Sequence, residues 1–240
     1  IWPPDYSAKY AWRAAALAHL KANPKLLPGV IASYGRGVEG CIEWIEDWVD
    51  TYDPRNAGKP DKLALMPFIM FPRQRELVEF LFAMIENEAN GLIEKSRDMG
   101  ATWVAAAVSA WFLRFRPGAS IGWGSRKADL VDRIGEMDSI FEKIRFVFRS
   151  LPDFMIPAGF DLEANMSYMK ITNPVTQASI SGESGDDIGR GGRKLVYFKD
   201  ESAHYVHPEA IEASLSENTR VQIDISSVNG PGNVFHRARE

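Results

Sequence analysis

The chain has 240 residues, 45% of them hydrophobic and 11% aromatic, which suffices for one large α/β domain with an appendage and excludes a disordered or low-complexity chain. Its formal net charge of -4 withholds the overall attraction to nucleic acid of a compact basic module, so any DNA contact is expected to be local or transient. The one cysteine, Cys41, excludes an internal disulfide and is expected to be a buried small apolar residue in a reducing compartment.

In chain order, the opening IWPPDYSAKY is neither a signal h-region nor a basic leader, and no later run approaches the roughly 20 apolar residues that cross a bilayer. A start at Ile instead of Met implies that the natural N-terminus is trimmed or disordered. Apolar residues at helical spacing predict a helix over 10–21, which Pro24 and Pro28 should close into a short loop. A second amphipathic helix is predicted over 39–50 from Ile42, Ile45 and Val49. The stretch TYDPRNAGKPDK then reads as loop and sets a boundary between an N-terminal helical appendage, 1–60, and a main domain, 61–240. Beyond it come a helix over 73–89, a strand over 91–96, a helix over 103–115 and a strand over 119–125. The pattern at 128–151 predicts one long amphipathic helix closed by Pro152. Strands at 166–172, 178–182, 195–198 and 221–226, with a helix at 208–217, complete an alternation that implies a parallel sheet covered on both faces. Ligands of such sheets collect on loops at the carboxyl ends of the strands.

One such loop runs Lys95-Ser96-Arg97-Asp98-Met99-Gly100-Ala101-Thr102, between a strand and a helix start, which is the setting of a phosphate-binding loop. Against G-x-x-x-x-G-K-[ST], Gly100 and Thr102 match, Lys95 replaces the first Gly, and Ala101 replaces the Lys. Backbone N–H groups would still face phosphates, Thr102 would reach Mg²⁺, and either Lys95 or Arg97 would supply the cation. The plainer alternative is a solvated turn with a packing glycine. A second signal is LVYFKDE, a strand ending in two acids that point to opposite sides. Asp200 would hold Mg²⁺ and Glu201 would polarise the attacking water, against the alternative of solvated strand-end acids. Gln74, in FPRQ, can read an adenine edge, and Ser226, Ser227 and Asn229 form a polar turn able to sense a γ-phosphate. His204 and His207 lack further His or Cys neighbours and read as surface or structural residues.

Together CIEWIEDWVDTYDPR, FPRQ, KSRDMGAT, LVYFKDE and ISSVNG resemble the large terminase subunits of tailed bacteriophages, over nearly the whole chain. The resemblance implies a parallel-sheet P-loop NTPase core of the RecA-like, additional-strand catalytic glutamate (ASCE) type. It implies ATP and Mg²⁺ as cofactors, and it favours Lys95 as a displaced phosphate lysine. LVYFKDE then stands as Walker B and ISSVNG as the motif coupling hydrolysis to movement. The segment SGDDIGRGGR resembles the family's Arg-Gly stretch, where Arg190 or Arg193 would act on a neighbour's ATP or else touch DNA or solvent. Glycines on both sides of Arg190 suggest a mobile presentation. Implied partners are double-stranded DNA, a portal protein on a prohead and a small terminase subunit. The chain would be a monomer in isolation and a homo-oligomeric ring on the portal, in the host cytoplasm and away from membranes. The family's C-terminal nuclease is expected to be absent from this chain. The alternatives are a superfamily 2-type helicase or other DNA translocase, and a structural capsid or scaffold protein.

Overall fold

The computed structural model describes residues 4–230 and 234–239; the expectation for the chain start falls partly outside them. The elements in order are α1 (Tyr6–Ala22), α2 (Leu27–Tyr34), α3 (Gly37–Trp48), β1 (Asp50–Tyr52), β2 (Leu65–Pro67), α4 (Pro72–Glu86), β3 (Gly91–Glu94), α5 (Ala101–Phe115) and β4 (Ser120–Ser125). They continue with α6 (Ala128–Val131), α7 (Ile140–Ser150), β5 (Met166–Ser167), β6 (Lys170–Thr172), β7 (Ser179–Ser184), β8 (Val196–Asp200), α8 (Pro208–Ser216), β9 (Gln222–Ser226) and α9 (Val234–Arg237).

Three expectations need correction. The predicted loop after Pro24 contains α2, because Pro28 stands in that helix's first turn, where its missing N–H goes unused. The loop at 51–62 is flanked by β1 and β2, which pair antiparallel, Asp50 opposite Pro67. The long helix expected at 128–151 is two helices. Asp132 adopts an extended backbone at the end of α6, and its carboxylate turns inward to take both guanidinium nitrogens of Arg145 at 2.7 and 2.6 Å and the N–H of Met169. Local side-chain bonding and Gly135 at φ +84° outcompete the helical pattern there.

The main sheet runs β3-β9-β8-β4-β7-β6-β5. Its first five strands are parallel, and β6 and β5 add an antiparallel edge instead of continuing the parallel order. In β8, Val196 and Phe198 join the main core, where Phe198 stacks on Trp123 at 4.7 Å. Tyr197 points the other way and packs with Ile188, Ile211 and Leu215 under α8. Apolar side chains on both faces explain the unbroken apolar run of β8, since α5 and α7 cover one face and α8 the other. The same alternation explains Lys199 inside that strand: it is buried on the α8 side and paired with Asp224 at 2.9 Å. Cys41 is fully buried, and Trp44 and Trp48 of α3 share the core with Trp111 and Phe112 of α5. No helix among the described residues is long and apolar enough to cross a membrane.

Candidate nucleotide and metal site

The five parallel strands end on one edge of the sheet, and the loops leaving it carry every residue of the expected site apart from Gln74. Between β3 and α5 the chain turns through Asp98 at φ +64° and Gly100 at φ +71°. Among the described residues, the backbone N–H groups of Ala101, Thr102 and Trp103, which open α5, donate to no backbone carbonyl. A run of uncommitted donors at the start of a 15-residue helix suits anionic oxygens. Gly100 suits its position because its φ of +71° is one that side chains disfavour, and a Cβ there would also displace Gln74 Nε2. Gln74 is buried behind this loop, where its Nε2 donates to Met99 O at 3.1 Å and its Oε1 accepts from Phe71 N at 3.3 Å. Its amide thus braces the loop while still lining the cleft in front of it.

That cleft, of about 570 Å³, lies between the β1–β2 pair, the loop, the first turn of α5 and residues 137–143. Lys95 lines it, and its backbone N–H donates to Ser226 O at 3.0 Å, tying the loop's start to β9. Ser96 and Arg97 are exposed and do not line it, whereas Asp98, Met99, Ala101 and Thr102 do. Arg55, from the turn beyond β1, reaches Asp98 at 2.9 Å.

The two signals in the sequence, 98 residues apart, meet where Thr102 lines the cleft: Thr102 Oγ1 donates to Asp200 Oδ1 at 3.2 Å. Burial pushes the Asp200 carboxyl up to about 6, with Glu201 adding to the rise and Lys95, Lys143 and the Thr102 hydroxyl opposing it. Glu201, at φ +53°, turns the chain out of the strand and is half-exposed on the other side, where its Oε2 accepts from Arg126 Nε at 2.9 Å. Ser226 is fully buried: its hydroxyl accepts from Ala203 N at 3.2 Å and donates to Ser227 O at 2.9 Å. Asn229 Nδ2 donates to Ala203 O at 3.0 Å. The end of β9 and the turn after it therefore hold both the N–H and the carbonyl of Ala203, two residues beyond Glu201.

Two cations of this region carry no sequence signal. Arg126 follows β4, and Lys143 sits on α7, where each is a single charge in an ordinary polar position. Burial lowers the Lys143 ammonium to about 8 against the pull of Asp200 and Asp138. The Arg190 side chain is exposed, 3.5 Å from Asp187. Arg193 lies three residues before β8, toward the opposite edge of the sheet, in a groove shared with Arg116. His204 closes the short turn after Glu201, and His207 precedes α8.

The donor set fits a nucleoside triphosphate with its metal. The N–H run and Lys95 suit phosphate oxygens, and a hydroxyl beside a carboxylate suits a hard cation. With β9 inserted between the loop strand β3 and the acid strand β8, the topology is that of the additional-strand class of P-loop-type α/β folds. Among solved structures, the HK97 bacteriophage large terminase matches with a TM-score of 0.56 over 80% of this chain and 38% of its own, at 14% identity. Over the matched residues this chain shares the fold of that bacteriophage large terminase. The ATPase domain of the Thermus phage P74-26 large terminase aligns over 62% of this chain and 63% of that domain, at 21% identity and a TM-score of 0.44. The chain thus spans less than two thirds of either protein. Comparison with protein-family models and with curated proteins gives no match.

Proposed function

We propose that this chain is the ATP-hydrolysing motor domain of a phage DNA-packaging large terminase, with residues 1–60 as an appendage on a motor of residues 61–240. The observation that carries the reading is the 3.2 Å contact between Thr102 and Asp200, which joins a donor-rich loop to a strand-end acid pair. The backbone N–H groups of the loop and Lys95 bind the phosphates, and Thr102 and Asp200 hold Mg²⁺. Bound MgATP supplies a γ-phosphoryl group whose developing charge is neutralised as water attacks. Glu201 accepts the proton of that water. Its Oε2 is engaged by Arg126, which leaves Oε1 for the proton. Gln74 fixes the height of the loop and contributes to base recognition from the cleft wall.

Ser226 and Asn229 grip the segment just beyond Glu201, and we assign them the coupling of hydrolysis to movement of double-stranded DNA through a portal into a prohead. The full-length protein would add an endonuclease, and its partners would be the portal, the small subunit and further copies of itself in a ring, in the host cytoplasm. Steady-state ATP turnover with Mg²⁺ tests the site. Glu201→Gln should lower turnover by about 10²- to 10⁴-fold with nucleotide affinity nearly unchanged, because the amide keeps the shape and loses the base. Lys95→Ala should weaken both affinity and rate. A Glu201→Gln protein that turns over like the wild type would remove Glu201 from the role of base.

A further inference from the structure

The cleft wall facing the phosphate loop carries a cation without an acidic partner. Of the four charged residues on α7, Glu142, Arg145 and Arg149 are joined in ion pairs of 2.6 to 3.2 Å, with Asp132 completing the group. Lys143, one turn into the helix, has no carboxylate within 4.0 Å among the described residues. Its Nζ folds back over the helix start and donates to Asp138 O at 2.7 Å and Ser139 O at 3.4 Å. Carbonyl dipoles do not neutralise an ammonium held largely out of water, whereas an anionic oxygen would. The side chain lines the same cleft as Lys95 and Thr102, on the wall that Met137, Asp138 and Lys143 form. Its backbone is fixed by the buried Arg145–Asp132 pair two residues on, while the aliphatic stem leaves the ammonium free to swing.

We propose that Lys143 is a second phosphate-binding cation of the cleft, which exchanges the Asp138 and Ser139 carbonyls for a terminal phosphate oxygen of a nucleoside triphosphate, opposite Lys95. This rests on reading the cleft as an ATP site. It adds that the triphosphate is clamped from two walls, the loop and α7, and that α7 senses whether the terminal phosphate is present.

The test is competition of unlabelled MgATP and MgADP against a fluorescent ATP analogue on the whole chain, in wild type, Lys143→Met, Lys143→Arg and Lys95→Ala. Lys143→Met should weaken ATP by about 10- to 100-fold and ADP by no more than about threefold, because a charge-assisted bond to the terminal phosphate is lost. Lys143→Arg should recover most of the ATP affinity. Equal losses for ATP and ADP, or no loss while Lys95→Ala abolishes binding, would overturn the role of Lys143 and leave the ATP site standing. A wild-type chain that binds neither nucleotide would overturn the ATP reading and this inference with it.

Discussion

Asp200 carries opposing demands at one atom pair: its Oδ1 takes the Thr102 hydroxyl, and burial raises its carboxyl from 3.8 to about 6. A carboxyl with a raised folded-state pKa stabilises the fold fully below its unfolded value, and that contribution disappears as pH rises through about 6. Without metal, the ionised side chain is therefore a burden at pH 8, worth up to about 3 kcal/mol for a shift of this size. Asp200→Asn should unfold at higher temperature than the wild type in EDTA at pH 8, with the gap closing as pH falls toward 4. An equal or lower melting temperature for Asp200→Asn at pH 8 would show that Lys95 and Lys143 already offset the burial. At this scale the acid pair was legible, because two carboxylates closing an apolar run leave few positions for them. So was Gly100, whose left-handed turn favours glycine. Arg126 and Lys143 were not legible. Each reaches the site from a loop or helix whose spacing says nothing about what it faces, and only the tertiary arrangement brings them to Glu201 and Asp200.

At the scale of elements, the split between α6 and α7 positions the cleft's far wall. Arg145 is 1% exposed and sits between Asp132 at 1% and Glu142 at 3%, and its Nη2 also donates to Ser167 O at 3.0 Å in β5. This knot fastens the helix break, α7 and the antiparallel edge to one another. Removing one member leaves carboxylates buried without a counter-charge, so Arg145→Met should cost about 3–5 kcal/mol in urea unfolding. The replacement of Arg145, Asp132 and Glu142 together by apolar residues should cost much less, because no charge is then stranded. A single Arg145→Met loss below about 1 kcal/mol would mean that water reaches the site. The sequence pattern misread this region because residues 128–151 are amphipathic with helical period on both sides of the break. The breaking interaction pairs Asp132 with a residue 13 positions away. The parallel strands were legible as apolar runs bounded by turns, whereas β1, β2, β5 and β6 have three residues or fewer, and their partners are set by pairing instead of pattern.

Across the whole molecule, one core runs from Tyr34 to Ile225, so the helices before β1 pack on the same apolar mass as the sheet. The parallel order with β9 between β3 and β8 brings the loop, the acid pair and the turn after β9 to one edge, and that organisation was legible from motif order alone. The Arg190 turn is different from its sequence expectation. Flanking glycines suggested a mobile presentation, yet Gly189 N–H donates to Glu183 at 2.6 Å, Asn218 donates to Gly189 O, and Tyr197 OH holds the same Glu183 carboxylate at 2.8 Å. The backbone is clamped and only the exposed guanidinium extends from it. A fixed base under an exposed arginine suits a group that completes a neighbouring copy's site, since less freedom is lost when it docks. If Arg190 acts in this way, an arginine finger contributes about 10³- to 10⁵-fold in rate, and the isolated chain should hydrolyse ATP slowly. Activity should then rise faster than linearly with protein concentration. Arg190→Ala and Glu201→Gln should each be inactive, and their mixture should regain part of the wild-type rate, because an interface between an intact base and an intact finger is restored at some sites. Glu183→Gln should weaken that recovery by loosening the turn without touching either site. Mixtures that stay inactive while assembly is demonstrated by light scattering, or a monomer already at full rate, would return Arg190 to a contact with DNA or solvent.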